Sequence, residues 1–163
     1  MASKSRISLR DLDSFDRSIL RILQTDNKTP QREIAEAVNL SPAAVQRRIA
    51  AMESAGTILR NVAIIDPGAL ALAITAIVEV HLRDERAVTV DAAKALFRTT
   101  VEVQQCYYVT GGVSFVLIIV TPDMRSYEAL TRQLFAENDL VDRYRTLVAL
   151  DRVKTETAVL VPG

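Results

Sequence analysis

Residues 29–56 read TPQREIAEAVNLSPAAVQRRIAAMESAG, and this stretch decides how the first part of the chain folds. Thr29-Pro30 has the form of a helix cap followed by proline at the first helical position, where the ring presets φ and the missing N–H is not needed. Ile34, Ala35 and Val38 follow at helical spacing. Asn39 tolerates left-handed backbone and stops that helix. Leu40 leads into Ser41-Pro42, a second cap-plus-proline start, after which Val45, Ile49 and Met52 share one face of a helix that Gly56 ends. Two short helices on a tight turn, with the small Ala35 where they cross, have the spacing of a helix-turn-helix. At about 100° per residue from Val45, the opposite face of the second helix shows Ala43, Ala44, Arg47 and Ala51, with Gln46 and Arg48 on the flanks. Small residues let the backbone approach a DNA groove, Gln46 and Arg47 reach base edges, and Arg48, Ser41 and the helix N-terminus suit phosphates. Arg60, expected in a short strand after this helix, is a candidate backbone contact. The expected DNA-binding set is therefore Thr29, Gln31, Ser41, Pro42, Ala43, Ala44, Gln46, Arg47, Arg48 and Arg60. Taken alone, Arg47 and Arg48 also fit the solvated face of an ordinary three-helix domain.

Upstream, Leu12, Phe15, Ile19, Ile22 and Leu23 recur at spacings of three and four, predicting a first helix with Asp13 as its N-cap. Downstream, the hydrophobic period changes near residue 63 from helical to alternating. This predicts a helix-turn-helix domain over 1–62, a linker over 63–70 with a hinge at Asp66-Pro67-Gly68, and a second domain over 71–163. The split divides the charge. Residues 1–62 carry 10 Lys and Arg against 7 Asp and Glu, a net of +3, and residues 63–163 carry 10 against 13, a net of −3. A basic half has the right sign for a phosphate partner, although the whole chain is neutral.

The second domain reads strand, helix, strand, strand, helix, strand. Ile74, Ala76, Val78, Val80 and Leu82 alternate with Thr75, Glu79 and His81 in its first strand. A helix over Val88–Thr99 is expected to turn Ala92, Ala95 and Leu96 inward. Val103–Thr110 and Ser114–Thr121 pair across Gly111-Gly112, which supplies positive φ. Thr121-Pro122 is expected to cap a helix carrying Tyr127, Leu130 and Leu134, and a last strand alternates Tyr144, Thr146, Val148 and Leu150. The fold class is α+β: a winged helix-turn-helix followed by a ferredoxin-like βαββαβ domain with both helices on one face of an antiparallel sheet. The other face must hold Ile77, Tyr107 or Tyr108, and part of Phe115–Val120, so a second copy packing sheet against sheet is expected.

The residues also limit the chemistry. One cysteine, Cys106, leaves no internal disulfide framework or Cys-rich zinc site. No apolar run approaches the roughly 20 residues of a membrane span, and the opening MASKSRISLR lacks a signal-peptide core, so a cytoplasmic protein is expected. His81, the sole histidine, reads as a surface or interface residue, Cys106 as packing, and Glu33 and Glu36 as a solvated face. Lys4, Arg6 and Arg10 are candidate phosphate contacts. No catalytic residues, metal ligands or cofactor are expected.

The whole pattern resembles the Lrp/AsnC family, the leucine-responsive and asparagine-synthesis (feast/famine) regulators. LDSFDRSILRILQTDNKT is similar to the family's opening helix, EIAEAVNLSPAAVQRRIAAMESAGTI to its helix-turn-helix, and YVTGGVSFVLIIVTPDMRSYEAL to the hairpin and helix start of its regulatory domain. The resemblance implies a sequence-specific transcription regulator binding double-stranded DNA. It also implies dimers through the C-terminal sheets, with assembly to tetramers or octamers, and an amino acid or related metabolite bound near the hairpin turn. By family position that effector site would involve Gly111, Gly112, Ser114, Met124 and Val148. Where the family commonly reads Gly-Asp-x-Asp, this chain has Gly111-Gly112-Val113-Ser114, without carboxylates to meet an effector's ammonium. Two other functions stay open: an enzyme resembling siroheme decarboxylases, which need a tetrapyrrole pocket and catalytic basic or histidine residues, and an effector-independent architectural DNA binder.

Overall fold

The computed structural model describes residues 12–162. The candidate phosphate contacts Lys4, Arg6 and Arg10 lie outside them. The chain forms two compact units, one containing residues up to Ile64 together with the segment from Thr155, the other running from Ile65 to Lys154. The sequence alone assigns the terminal segment to the sheet domain over 71–163. Here its backbone is held by the first helix instead. The Gln24 side-chain amide donates to the Val159 carbonyl at 3.0 Å and accepts from the Val159 N–H at 2.8 Å, while Arg21 donates to the carbonyls of Val161 and Pro162.

The helical unit consists of α1 (Ser14–Thr25), α2 (Gln31–Val38) and α3 (Pro42–Ser54). α1 begins with the expected Asp13 cap in a full capping box: Asp16 N–H donates to the Asp13 carboxylate at 2.8 Å, and Asp13 N–H to the Asp16 carboxylate at 3.2 Å. α2 starts one residue later than expected. Pro30 takes the cap position with no side-chain bond, and the Thr29 hydroxyl donates backward to the Asp26 carbonyl, so Thr29 closes the preceding turn and does not cap. Asn39 is left-handed at φ 55°. Ser41 caps α3, accepting from Ala44 N–H at 3.2 Å, with Pro42 in the first turn. Ile19, Ile34, Ala35, Val38, Val45 and Met52 form the core, closed below by Leu12. After Gly56 the chain forms no strand through residue 66, so the expected wing is absent among the described residues. That stretch leaves Leu59, Val62, Ile64 and Ile65 exposed.

At the hinge, Asp66 accepts from Gly68 N–H and a 3-10 turn spans Pro67–Leu70. The left-handed residue is Ala71 at φ 56°, not Gly68. The second unit then runs β1 (Ile74–Leu82), α4 (Ala87–Thr99), β2 (Val103–Tyr108), β3 (Phe115–Thr121), α5 (Met124–Thr131) continuing into a π-helical turn (Arg132–Ala136), and β4 (Val141–Val148). The antiparallel sheet has the order β2-β3-β1-β4, as a ferredoxin-like βαββαβ chain requires.

One face of the sheet, with Ala76, Val78, Val80, Phe115, Leu117 and Ile119, is buried beneath the helices. α4 turns in Val90, Ala93 and Phe97, with Leu96 partly buried against the same core as expected, whereas the expected Ala92 and Ala95 are exposed. Phe97 sets this rotation, because its ring lies edge-on to Phe115 at 5.3 Å and to Phe135 at 6.2 Å. α5 is capped by Asp123, which accepts from Ser126 N–H at 2.7 Å, and not by Thr121-Pro122. The other face carries the half-buried Ile77, Val116, Ile118 and Val120. Strand register puts Ile77, Ile118 and Leu147 side by side on it, with Val116 and Tyr107 along one diagonal and Val120 beyond.

Candidate nucleic-acid interface

The first turn of α3 and its outward face hold most of the residues expected to meet DNA. Ser41, Pro42, Ala43, Gln46 and Arg47 are exposed, and Ala44 is half-buried. Val45 and Met52, at most 1% exposed, hold the opposite face against α1 and α2. The side chain of Arg47 has no ion pair or hydrogen bond among the described residues, which leaves its whole guanidinium for an outside acceptor. Gln31 is exposed at the start of α2, and Arg60 is exposed in the irregular stretch after α3.

Arg48 departs from its expected phosphate role. Its guanidinium lies 2.8 Å from both Asp13 and Asp16 and packs over the Phe15 ring at 5.5 Å from the centroid. With its side chain 27% exposed and two carboxylates in hand, it ties α3 to the capping box of α1. The cause is angular. Three residues on from Val45, Arg48 sits about 60° from the buried Val45 direction, closer to the core than to the groove-facing side. The Asp16 backbone N–H, and after it Arg48, hold the Asp13 carboxyl below its ordinary value, and the two carboxylates raise the Arg48 guanidinium. Neighbouring arginines thus do different work: one closes the unit, the other is left over.

The five residues expected at the effector site fall into two groups. Gly111 (φ 100°) and Gly112 (φ 90°) form the turn before β3, and Ser114 is buried at its base. There Ser114 N–H donates to the Val80 carbonyl, its hydroxyl oxygen accepts from Leu82 N–H at 3.0 Å, and its hydroxyl donates to the Glu85 carboxylate at 2.5 Å. Met124 and Val148 stand at the other end of the sheet, where Val148 pairs with Ala76 and Thr121 with Ile74. The length of β3, about 20 Å at ~3.3 Å per residue, separates the groups. One chain does not bring them together. Met124 lines a shallow hollow of about 420 Å³ along α5 with Arg125, Tyr127, Glu128 and Thr131.

Glu85 was not picked out by sequence reasoning. It lies in the loop between β1 and α4 and accepts from both Ser114 and the Tyr108 hydroxyl, the latter at 2.9 Å. The carboxylate missing from the turn is therefore present beside it, delivered from another loop. Nothing in a period or spacing marks Glu85; only the pairing of Val80 with Phe115 brings the two loops together. Among the described residues, no group of His, Cys, Asp or Glu is placed to hold a metal ion, and no helix is long and apolar enough to cross a membrane.

Comparison with known proteins covers both units. An AsnC-type helix-turn-helix domain matches residues 12–53 and an Lrp/AsnC ligand binding domain matches residues 75–159. An uncharacterized HTH-type transcriptional regulator of Sinorhizobium fredii is 42% identical over 149 residues, spanning 91% of this chain and 88% of that one. The leucine-responsive regulatory protein of Escherichia coli K12 is 28% identical over 152 residues, 93% of each chain. Among solved structures, an AsnC family transcriptional regulator from Agrobacterium tumefaciens superposes with a TM-score of 0.85 at 29% identity, covering 91% of this chain and 97% of that one. A transcriptional regulator from Neisseria meningitidis in complex with L-Met gives 0.83 at 26%, covering 91% and 96%.

Proposed function

The chain belongs to the Lrp/AsnC family of transcriptional regulators, and on that premise we propose that it binds specific operator DNA by laying α3 in the major groove. It acts in the cytoplasm and works by binding, not catalysis. The observation that carries this reading is the free Arg47 guanidinium beside Ala43, Ala44 and Gln46, on a helix whose other cation is locked inward. Arg47 and Gln46 read base edges, while Ser41, Gln31 and Arg60 meet the backbone.

The protein works as a dimer or a larger even assembly. The uncovered apolar sheet face supports this, since a second copy would cover Ile77, Val116, Ile118 and Leu147 with the same residues of its own. Its effector is an amino acid or a related metabolite, a class consistent with the L-Met complex of the Neisseria regulator. A site using Gly111, Gly112 and Ser114 together with Met124 and Val148 draws the two groups from different copies. Glu85 supplies the negative charge that would meet an effector's ammonium.

The test is fluorescence-anisotropy titration of the full-length protein on its own upstream promoter with competitor DNA, at two salt concentrations, beside Arg47→Ala. Specific, salt-sensitive binding that Arg47→Ala weakens is the expected result. Binding no tighter than to competitor, on that fragment and across a genomic library, overturns it. A thermal-shift screen of amino acids tests the effector, and Glu85→Gln should remove any stabilisation found.

A further inference from the structure

A cavity of about 370 Å³ opens between α4 and the edge strand β2, lined by Lys94, Phe97, Arg98, Val103, Gln104, Cys106, Tyr108 and Phe115. None of the residues expected to hold DNA or effector lies in it. Its lining carries two cations and no carboxylate, in the half of the chain that is net negative. Lys94 and Arg98 are one helical turn apart, so both project from the same side of α4 toward the strand.

Neither cation is strongly committed. Lys94 has only a loose pairing with Asp91 at 3.8 Å, and its ammonium lies over the Tyr108 ring at 4.7 Å from the centroid. Arg98 has no ion pair or hydrogen bond among the described residues. The nearest acid contact to the lining is Glu85, bonded to the Tyr108 hydroxyl, which raises that phenol's pKa and fixes the ring. The floor is apolar: Tyr108 tilts against Phe115 at 5.1 Å, and Phe115 meets Phe97 edge-on.

We infer that this cavity binds a small organic carboxylate with an aromatic or branched aliphatic body, the carboxylate bridging Lys94 and Arg98 and the body lying against Tyr108 and Val103. The volume is in the range of small-molecule sites, roughly 300–1,000 Å³. A planar guanidinium and an ammonium suit a carboxylate, the first bidentately and the second as a point charge. A neutral analogue of the same shape gains the apolar contact but leaves both cations unanswered.

Cys106 makes the test site-specific, because it lines the cavity and is the only cysteine in the chain. Cys106 is exposed and not the buried packing residue expected, so iodoacetamide can reach it; desolvation of the sulfur raises the thiol, opposed by Arg98. The full-length protein is treated with neutral iodoacetamide and modification of Cys106 is timed by mass spectrometry. The runs contain no addition, benzoate, phenylpyruvate, 4-methyl-2-oxopentanoate, or uncharged benzamide. At least one carboxylate should protect Cys106 in a saturable way while benzamide does not. Lys94→Gln and Arg98→Gln, both on the helix surface and checked by melting temperature, should each weaken that protection about ten-fold in concentration. Failure of all three carboxylates to protect overturns the proposal, as does equal protection by benzamide. It is also overturned if Cys106 resists alkylation in the wild type yet reacts once a substitution on the open sheet face separates the copies, because another copy then fills the cavity.

Discussion

The helical unit and the sheet unit leave opposite kinds of surface uncovered. On α3 the residues left over are polar and cationic, and the core beneath them is closed: Val45 and Met52 are buried, and Arg48 seals the seam with α1. On the sheet, Ile77, Val116, Ile118 and Leu147 form an apolar strip on the face turned away from α4 and α5. A surface of the first kind is complete in one chain and waits for a charged polymer. One of the second kind presents apolar area that water solvates poorly.

The strongest way to break this contrast is Ile118→Asp, which puts a carboxylate at the centre of the open strip. Dispersal to monomer by light scattering is expected, with operator affinity falling about 100-fold or more as linked half-site binding is lost. An oligomer that survives the change would mean that the strip is not its interface.

Arg47→Ala should cost operator binding about 1–3 kcal/mol, roughly five- to 150-fold, with no change in melting temperature. Its neighbour should behave in reverse. Arg48→Met is expected to remove about 1–2 kcal/mol of stability from the helical unit, discounted for partial solvent exposure, read by urea unfolding. Equal effects of the two on melting would erase the distinction between the leftover arginine and the structural one.

The smallest effect is that of acid. The folded Asp13 carboxyl lies below its ordinary value, so its contribution is complete above about pH 4 and is lost as pH falls through the depressed value. Helicity of the wild type should hold from neutral pH to about 4 and fall below it, and Arg48→Met should lose less across the same range because part of the cause is gone. Circular dichroism across pH measures both. Asp123 is depressed in the same direction, first by the Ser126 backbone N–H, so the sheet unit contributes loss of the same sign, and the difference between wild type and Arg48→Met isolates the helical part.

The features legible in the sequence were those carried by local chemistry. Asp13, Asn39 and Ser41-Pro42 act through neighbours one to three residues away, and β1 alternates because each of its faces meets a different environment. The rotation of α4 was not legible, because alanines and leucine give a weak stripe that a single large ring overrides; Phe97 must reach between Phe115 and Phe135. The sequence offers Arg48 as a phosphate contact although its angle from Val45 points it toward the core; the acids that claim it lie 35 and 32 residues upstream. Thr29 failed as a cap because the Asp26 carbonyl takes its hydroxyl. The residues expected at the effector site cannot be sorted by spacing, since only the run of β3 reveals that Ser114 and Met124 are at opposite ends of a sheet.

The grip of α1 on the terminal segment has a consequence for dissecting the protein. Gln24 and Arg21 hold carbonyls and an N–H, never a side chain, so the grip is indifferent to which side chains stand at 159–162, proline at 159 excepted, but depends on how many residues precede them. Composition there is free to drift while length is not. A fragment cut after Ile64 keeps all three helices yet loses this clasp, and would melt as a lesser version of the domain it was meant to isolate.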